Sequence, residues 1–243
     1  MSYAAPAYER KIDIGASVRA AYGAVTENGR LAVELAWLPF AVLVVAEVIA
    51  LVLGGGGLLG RALAGLVRAG GFLVFGTIFA VRWHRYMLLG EGVSAGLFPP
   101  GWGSFLLAGI KIGLAIFVPT FILTLVVPPI GALAGIALAL ASARVSLIFP
   151  TAAVEHPISL REAWDLIAGN YLRLFACILL CVIPFGIVHA IIGAIGGGLP
   201  WVMWFVFEVI GLAVTFAGMA VVASLLSDIY RGLAPANPAQ RAA

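Results

Sequence analysis

Apolar residues occur along this chain in long blocks with few charges, and short clusters of glycine and proline separate the blocks. A transmembrane helix needs about 20 consecutive apolar residues, and glycine and proline clusters interrupt helices. The pattern therefore predicts an all-α, polytopic membrane protein with six membrane-spanning helices. The predicted spans are 31–53, 62–88, 104–127, 130–150, 172–193 and 201–227.

The two ends of the chain are more polar than the blocks between them. We therefore predict a polar N-terminal tail at 1–14, a single transmembrane domain at 15–233, and a disordered C-terminal tail at 234–243. The first 30 or so residues lack the basic-then-apolar order of a cleaved signal peptide, so insertion is expected to rely on the first span.

Two short polar segments resemble each other, and each precedes an apolar span. Residues 17–28 read SVRAAYGAVTEN, and residues 159–170 read SLREAWDLIAGN. Both have apolar residues at positions i, i+3, i+4 and i+7, which is typical of one face of a helix. The similarity predicts an internal repeat, and because both copies fall on the same side of the membrane, the repeat is parallel.

Both segments are too short and too polar to cross a bilayer. We predict two amphipathic helices, at 15–28 and 159–169, that lie flat at the cytoplasmic interface with their apolar faces in lipid. In the second segment, Ser159 and Glu162 have the spacing of a capping box.

The composition excludes an ordinary soluble fold and argues against nucleic-acid binding. Hydrophobic residues make up 63% of the 243 residues and charged residues 10%, whereas about a quarter of the residues in soluble domains are charged. The net charge is only +3 and the basic residues are scattered, unlike the basic patch that nucleic-acid binding requires.

The distribution of basic residues predicts the orientation. Of the 14 lysines and arginines, only Arg61 and Arg68 fall on one side of the six-span topology. Because cytoplasmic loops are enriched in Lys and Arg, both termini are expected in the cytoplasm. The bias toward Ala, Gly, Arg and Pro is typical of bacteria with GC-rich genomes, so we expect a multi-pass protein of the bacterial inner membrane.

The segment VRWHRYMLLGE, at 81–91, ends the second predicted span. Its Arg82, Trp83, His84, Arg85 and Tyr86 have the composition of an interfacial anchor, with aromatic rings at headgroup level and arginines that reach lipid phosphates. The alternative is a site for a ligand or a partner. A metal site is not expected, because no second His or Cys stands at ligand spacing from the histidine.

Three further residues are expected at the same interface. Arg144, Arg161 and Trp164 lie at or just after the cytoplasmic end of the fourth predicted span. Together with the arginines of 81–91, they predict contacts with anionic lipid headgroups.

Four ionisable residues fall in the outer half of the predicted spans: Glu47, Arg68, His189 and Glu208. Ionisable groups in a span are costly and therefore suggest a function. Glu47 and Arg68 flank one outer turn, while His189 and Glu208 flank another, so each couple is expected to lie at similar depth. Three interpretations stay open for the cluster. It is a structural ion pair that fixes helix register, a pathway for a proton or substrate, or a set of side chains that snorkel to the outer interface.

Four motifs at the ends of the spans carry a resemblance. They are WHRYMLLGE at 83–91, RVSLIFP at 144–150, SLREAWDLIAGN at 159–170 and IYRGL at 229–233. In these motifs the chain resembles uncharacterised bacterial inner-membrane proteins related to the YciC-like group, and the membrane domain found beside glycerophosphodiester phosphodiesterases. The resemblance implies a six-helix membrane protein without an assigned reaction. No segment could supply the acidic metal site of the phosphodiesterase barrel, so hydrolase activity is not inferred.

These features favour a non-enzymatic membrane protein that organises lipid or partner proteins at the cytoplasmic leaflet. The expected partners are anionic membrane lipids and a membrane protein or a second copy of the chain, with no cofactor and no metal. The alternative is a small transporter or permease that uses the outer polar cluster. A membrane-embedded enzyme is less favoured, because the sequence contains no recognisable nucleophile–base pair.

Overall fold

The computed structural model describes residues 11–93, 96–196, 198 and 200–233, and these residues form helices and no strand. This confirms the all-α prediction. In chain order the α-helices are α1 Ile14–Glu27, α2 Gly29–Gly54, α3 Gly57–Gly71, α4 Thr77–Leu89, α5 Trp102–Val126, α6 Pro128–Val145, α7 Ile148–Ala153, α8 Leu160–Leu166, α9 Tyr171–Gly196 and α10 Trp201–Leu233. A π-helical turn, Phe72–Gly76, joins α3 to α4.

Five helical segments in the described part of the chain are long and apolar enough to cross a membrane. They are Gly29–Gly54, Gly57–Leu89, Trp102–Val126, Tyr171–Gly196 and Val202–Leu233. The fourth predicted span, 130–150, is divided between α6 and α7. At 18 residues, α6 is about 27 Å long, slightly shorter than the roughly 30 Å hydrocarbon core, so a sixth span stays a prediction.

One end of the bundle contains the starts of α2, α5 and α9 and the ends of α4, α6 and α10; we call it the basic end. The Tyr86 hydroxyl of α4 donates to Asn28 Oδ1 at the start of α2, at 2.6 Å. Arg231, near the end of α10, donates to the Met87 carbonyl of α4. These contacts join the first two membrane-crossing segments to the last.

The hairpin of α5 and α6 leaves the basic end and returns to it. At the end of α6, the Arg144 guanidinium lies 4.5 Å from the ring centroid of Tyr171, at the start of α9. At the start of α5, Gly101 has a φ of +78°, and a Cβ built there would lie 2.5 Å from the Ala152 carbonyl oxygen of α7. Only glycine combines this conformation with so close a backbone approach, so α5 begins directly against α7.

Helix α1 is amphipathic in sequence, but its apolar face packs against protein. The Asp13 side chain caps the helix by accepting the Ala16 N–H. The Tyr22 ring stacks on Phe185 of α9 and its hydroxyl donates to the Cys181 carbonyl. A helix lying flat with this face in lipid is therefore not what the structure contains, because α9 and α10 already cover that face.

The predicted N-terminal tail is anchored where the structure describes it. The Ile12 N–H donates to Asn170 Oδ1 at 2.9 Å, and Arg173 donates to the Ile12 carbonyl at 2.8 Å. Residues 11–13 therefore belong to the folded domain. Residues 1–10 of the predicted tail, and the whole predicted tail at 234–243, lie outside the described residues.

Helix α8 has the capping box that the sequence predicts. The Ser159 side chain accepts the Glu162 N–H, and the Glu162 carboxylate accepts the Ser159 N–H. These bonds favour the ionised carboxylate and so lower the pKa of Glu162. The helix is only seven residues long and lies against α6, whereas α1 lies against α9 and α10. The parallel repeat is therefore not confirmed, because its two copies have different surroundings.

Candidate functional site

Residues 81–85 lie inside the protein, and this corrects the expectation that their side chains anchor the chain in headgroups. Arg82, Trp83, His84 and Arg85 are between 0 and 8% exposed. Helix α4 lies between α2, α5, α7 and α10 at this level, so lipid does not reach these four side chains. Tyr86 is half-buried and bound to α2.

Trp83 and His84 fasten α4 to α10. The Trp83 indole N–H donates to Ser224 Oγ at 2.8 Å, and His84 Nδ1 shares a hydrogen bond of 2.8 Å with Ser227 Oγ. Sequence analysis did not single out the two serines. Their spacing of three residues within an apolar helix was the available signal, because it places both hydroxyls on one helix face.

Arg85 joins α4 to two connecting segments. Its Nε and Nη2 donate to the two carboxylate oxygens of Glu91, each at 2.7 Å. Its Nη1 donates to the Ala153 carbonyl at 3.0 Å and lies 3.5 Å from Glu155 Oε2. A forked guanidinium suits this arrangement, because it offers several donors in fixed directions. The residue is a structural connector rather than a lipid ligand.

Arg82 binds the same region through backbone oxygens. Its Nη2 donates to the Gly96 carbonyl at 2.8 Å and lies 3.4 Å from the Leu97 carbonyl. The two arginines therefore hold the α4–α5 connection against the end of α4.

A groove of about 580 Å³ runs between α5, α6, α7 and α8. Most of the lining side chains are apolar. The groove is lined by Ser104, Leu107, Ala108, Lys111, Ile112, Ala115, Ile116, Leu138, Ala141, Ser142, Val145, Ile148, Ala152, Pro157, Ile158, Ser159, Leu160 and Trp164. Lys111 is the charged member of this set, and none of the lining residues is acidic. Lys111 is one of the twelve basic residues that the charge distribution assigns to the cytoplasmic side, and the sequence pattern indicates no site for it.

The other predicted interface residues lie beside this groove. The Arg144 guanidinium stacks on the Trp164 ring, 3.9 Å from the ring centroid, and Trp164 is 41% exposed. The Arg161 side chain is 92% exposed, with Asp165 at 4.0 Å. Arg144 therefore holds one wall of the groove, while Arg161 is free to reach the surroundings.

In the outer polar cluster, two of the four predicted members form an ion pair. Arg68 donates to Glu47 at 2.7 Å, as expected, and its guanidinium lies 5.9 Å from the Trp204 ring. Glu208 is within electrostatic reach of both charges and of His189. In the described part of the chain, the hydrogen-bond partner of His189 is Thr215, at 3.4 Å, and not Glu208.

Arg85→Lys is expected to destabilise the protein by about 1–3 kcal/mol, because lysine cannot keep both the paired bonds to Glu91 and the bond to Ala153. Unfolding in mixed micelles measures the change. Arg161→Lys is the matched control and should stay within about 0.5 kcal/mol, since that side chain is exposed. Equal effects of the two substitutions would contradict the connector role.

Glu47→Ala and Arg68→Ala are each expected to lower stability, and the double variant should cost less than their sum by at least about 0.5 kcal/mol. The reason is that each single change leaves an unpaired charge at membrane depth. Arg61→Ala, on the same helix as Arg68, is the control and should be additive with Glu47→Ala. Strict additivity of Glu47→Ala with Arg68→Ala would rule out the pair as a stabilising contact.

Comparisons of the chain with protein-family models, with curated proteins and with solved structures find no match.

Proposed function

We propose that this protein is a non-enzymatic integral membrane protein that holds and organises lipid at the cytoplasmic leaflet. The observation that carries the proposal is the groove between α5, α6, α7 and α8. It is apolar, it contains a cationic residue and no acidic one, and it lies at the end of the bundle where most of the arginines are found.

The length of the groove supports lipid as its occupant. The groove follows α5 from Ser104 to Ile116, about 18 Å at a rise of 1.5 Å per residue. One leaflet contributes about 15 Å to the hydrocarbon core. A groove of this length along a membrane helix has room for a lipid headgroup and the first part of an acyl chain. Its volume also lies within the usual range of about 300–1,000 Å³ for small-molecule sites.

The proposal includes a location in the bacterial inner membrane with both termini in the cytoplasm. The concentration of Lys and Arg at the basic end supports this orientation through the positive-inside rule. In this arrangement Arg161 contacts anionic headgroups, whereas Arg82 and Arg85 are engaged within the protein. The apolar side of α5 is available to a partner protein or a second copy, because Leu114, Phe117 and Phe121 on it are at least 50% exposed.

Filling the groove is expected to remove bound lipid. Ala115→Trp places an indole in the deep part of the groove. The control, Leu114→Trp, adds the same ring at the preceding residue, which is 56% exposed and does not line the groove. Native mass spectrometry after gentle extraction from membranes should find lipid on the wild type and on Leu114→Trp, and little on Ala115→Trp.

Ala141→Trp tests the same prediction from α6, on the opposite wall, in case Ala115→Trp fails to fold. Lipid retained equally by the wild type and by a folded groove-filling variant would refute the proposal. Absence of lipid from the wild type would refute it as well.

A second candidate function, a small transporter or permease, is favoured by the outer polar cluster. Four helices, α2, α3, α9 and α10, contribute its Glu47, Arg68, His189 and Glu208, and such groups at membrane depth can line a pathway for protons or ions. This function requires a water-filled route to the cluster.

The transporter alternative predicts that Thr215→Cys reacts with a membrane-impermeant thiol reagent, because Thr215 contacts His189. The native Cys177 and Cys181 are buried and would be replaced by alanine. Leu114→Cys is the lipid-facing control. A Thr215→Cys variant that reacts no faster than this control would oppose the transporter alternative.

A further inference from the structure

The groove changes in polarity along its length. Its polar residues lie toward the basic end: Ser104, Lys111, Ser142 and Ser159. Ala115 and Leu138 line its deep part. This gradient matches an amphiphile whose polar group faces the basic end and whose chain points toward the membrane centre. A purely apolar occupant would leave the ammonium group facing hydrocarbon at a free-energy cost.

Two cations lie at the same depth along the α5–α6 hairpin. Measured from the turn at Val127, Lys111 is about 24 Å along α5 and Arg144 about 26 Å along α6, at 1.5 Å per residue. In the described part of the chain, no carboxylate lies within ion-pair distance of the Lys111 ammonium. Two positive charges at one level, without an acidic residue among the lining residues, favour an anion there.

The wall between these cations is held in place. The Trp164 ring lines the groove, and the Arg144 guanidinium stacks on it. In the described structure the Nε of Arg144 is buried and donates no hydrogen bond, and the guanidinium lies over the rings of Trp164 and Tyr171.

Two acidic residues lie on the same short helix as Trp164. Glu162 is occupied by its capping bond to Ser159, and Asp165 lies 4.0 Å from Arg161.

We infer that the groove takes the headgroup and the first part of one acyl chain of an anionic phospholipid from the cytoplasmic leaflet, with the lipid phosphate at Lys111. This inference rests on the proposed lipid-holding function. A phosphate offers several acceptor oxygens, so it can bind the ammonium and accept from a serine hydroxyl at the same time. Ser104 lies two helical turns closer to the basic end than Lys111 and contacts the polar remainder of the headgroup.

The test exchanges purified protein into nanodiscs of equal parts phosphatidylglycerol and phosphatidylcholine, with oleic acid as a third component. Native mass spectrometry then counts the lipids that stay bound after release. The wild type should retain phosphatidylglycerol over phosphatidylcholine by about fivefold, the ratio that one basic contact near the membrane surface provides. Lys111→Gln should lose this preference and Lys111→Arg should keep it.

Arg61→Gln is the matched control, since it removes the same charge at the other end of the bundle, and it should leave the preference unchanged. Retention of both phospholipids in equal amounts by the wild type would overturn the headgroup assignment and leave the lipid-holding function standing. Oleic acid displacing phosphatidylglycerol from the wild type would likewise overturn the phospholipid assignment. A wild type that retains no lipid at all would overturn the proposed function itself.

Discussion

The packing of helices at the basic end depends on hydrogen bonds. Within the protein, these bonds supply partners for the polar groups of buried arginine, histidine and tryptophan side chains. A polar group at membrane depth without a partner is costly, and Arg85 finds its partners in Glu91, Ala153 and Glu155. These partners come from the α4–α5 connection and from the segment after α6. The same contacts that satisfy one guanidinium therefore determine where the α5–α6 hairpin attaches to the remaining helices.

The groove follows from how this hairpin is attached. Helix α5 begins against α7 because Gly101 allows the backbones to touch, and α8 lies against the end of α6 with Trp164 stacked on Arg144. Small side chains at Ala108, Ala115 and Ala141 line the space that remains. The groove therefore results from where the α5–α6 hairpin contacts the other helices. Its length, which is close to the thickness of one leaflet, follows from the helices that line it.

In the described part of the chain, the charged side chain in the groove and those at the opposite end of the bundle differ in whether they are paired with an opposite charge. At the end opposite the basic end, Glu47 and Arg68 form an ion pair and neutralise each other. Glu208 and His189 lie near this pair. At the basic end, Lys111 faces a groove without acidic residues. An anionic ligand is therefore better suited to the basic end, whereas a protonic or cationic species would be better suited to the other.

The sequence by itself determined the helical class, most of the spans, the capping box of α8 and the Glu47–Arg68 pair, because hydrophobic periodicity, cap chemistry and charge spacing are local properties. It did not distinguish a buried Arg82 and Arg85 from interfacial anchors, since an arginine–aromatic cluster has the same composition in both settings. Only the tertiary structure supplied Ser224, Ser227 and the carbonyls that bind this cluster, and only it brought Lys111 and Trp164 to one groove. Those contacts join residues far apart in the chain, and their partners depend on how the helices pack, which no local pattern encodes.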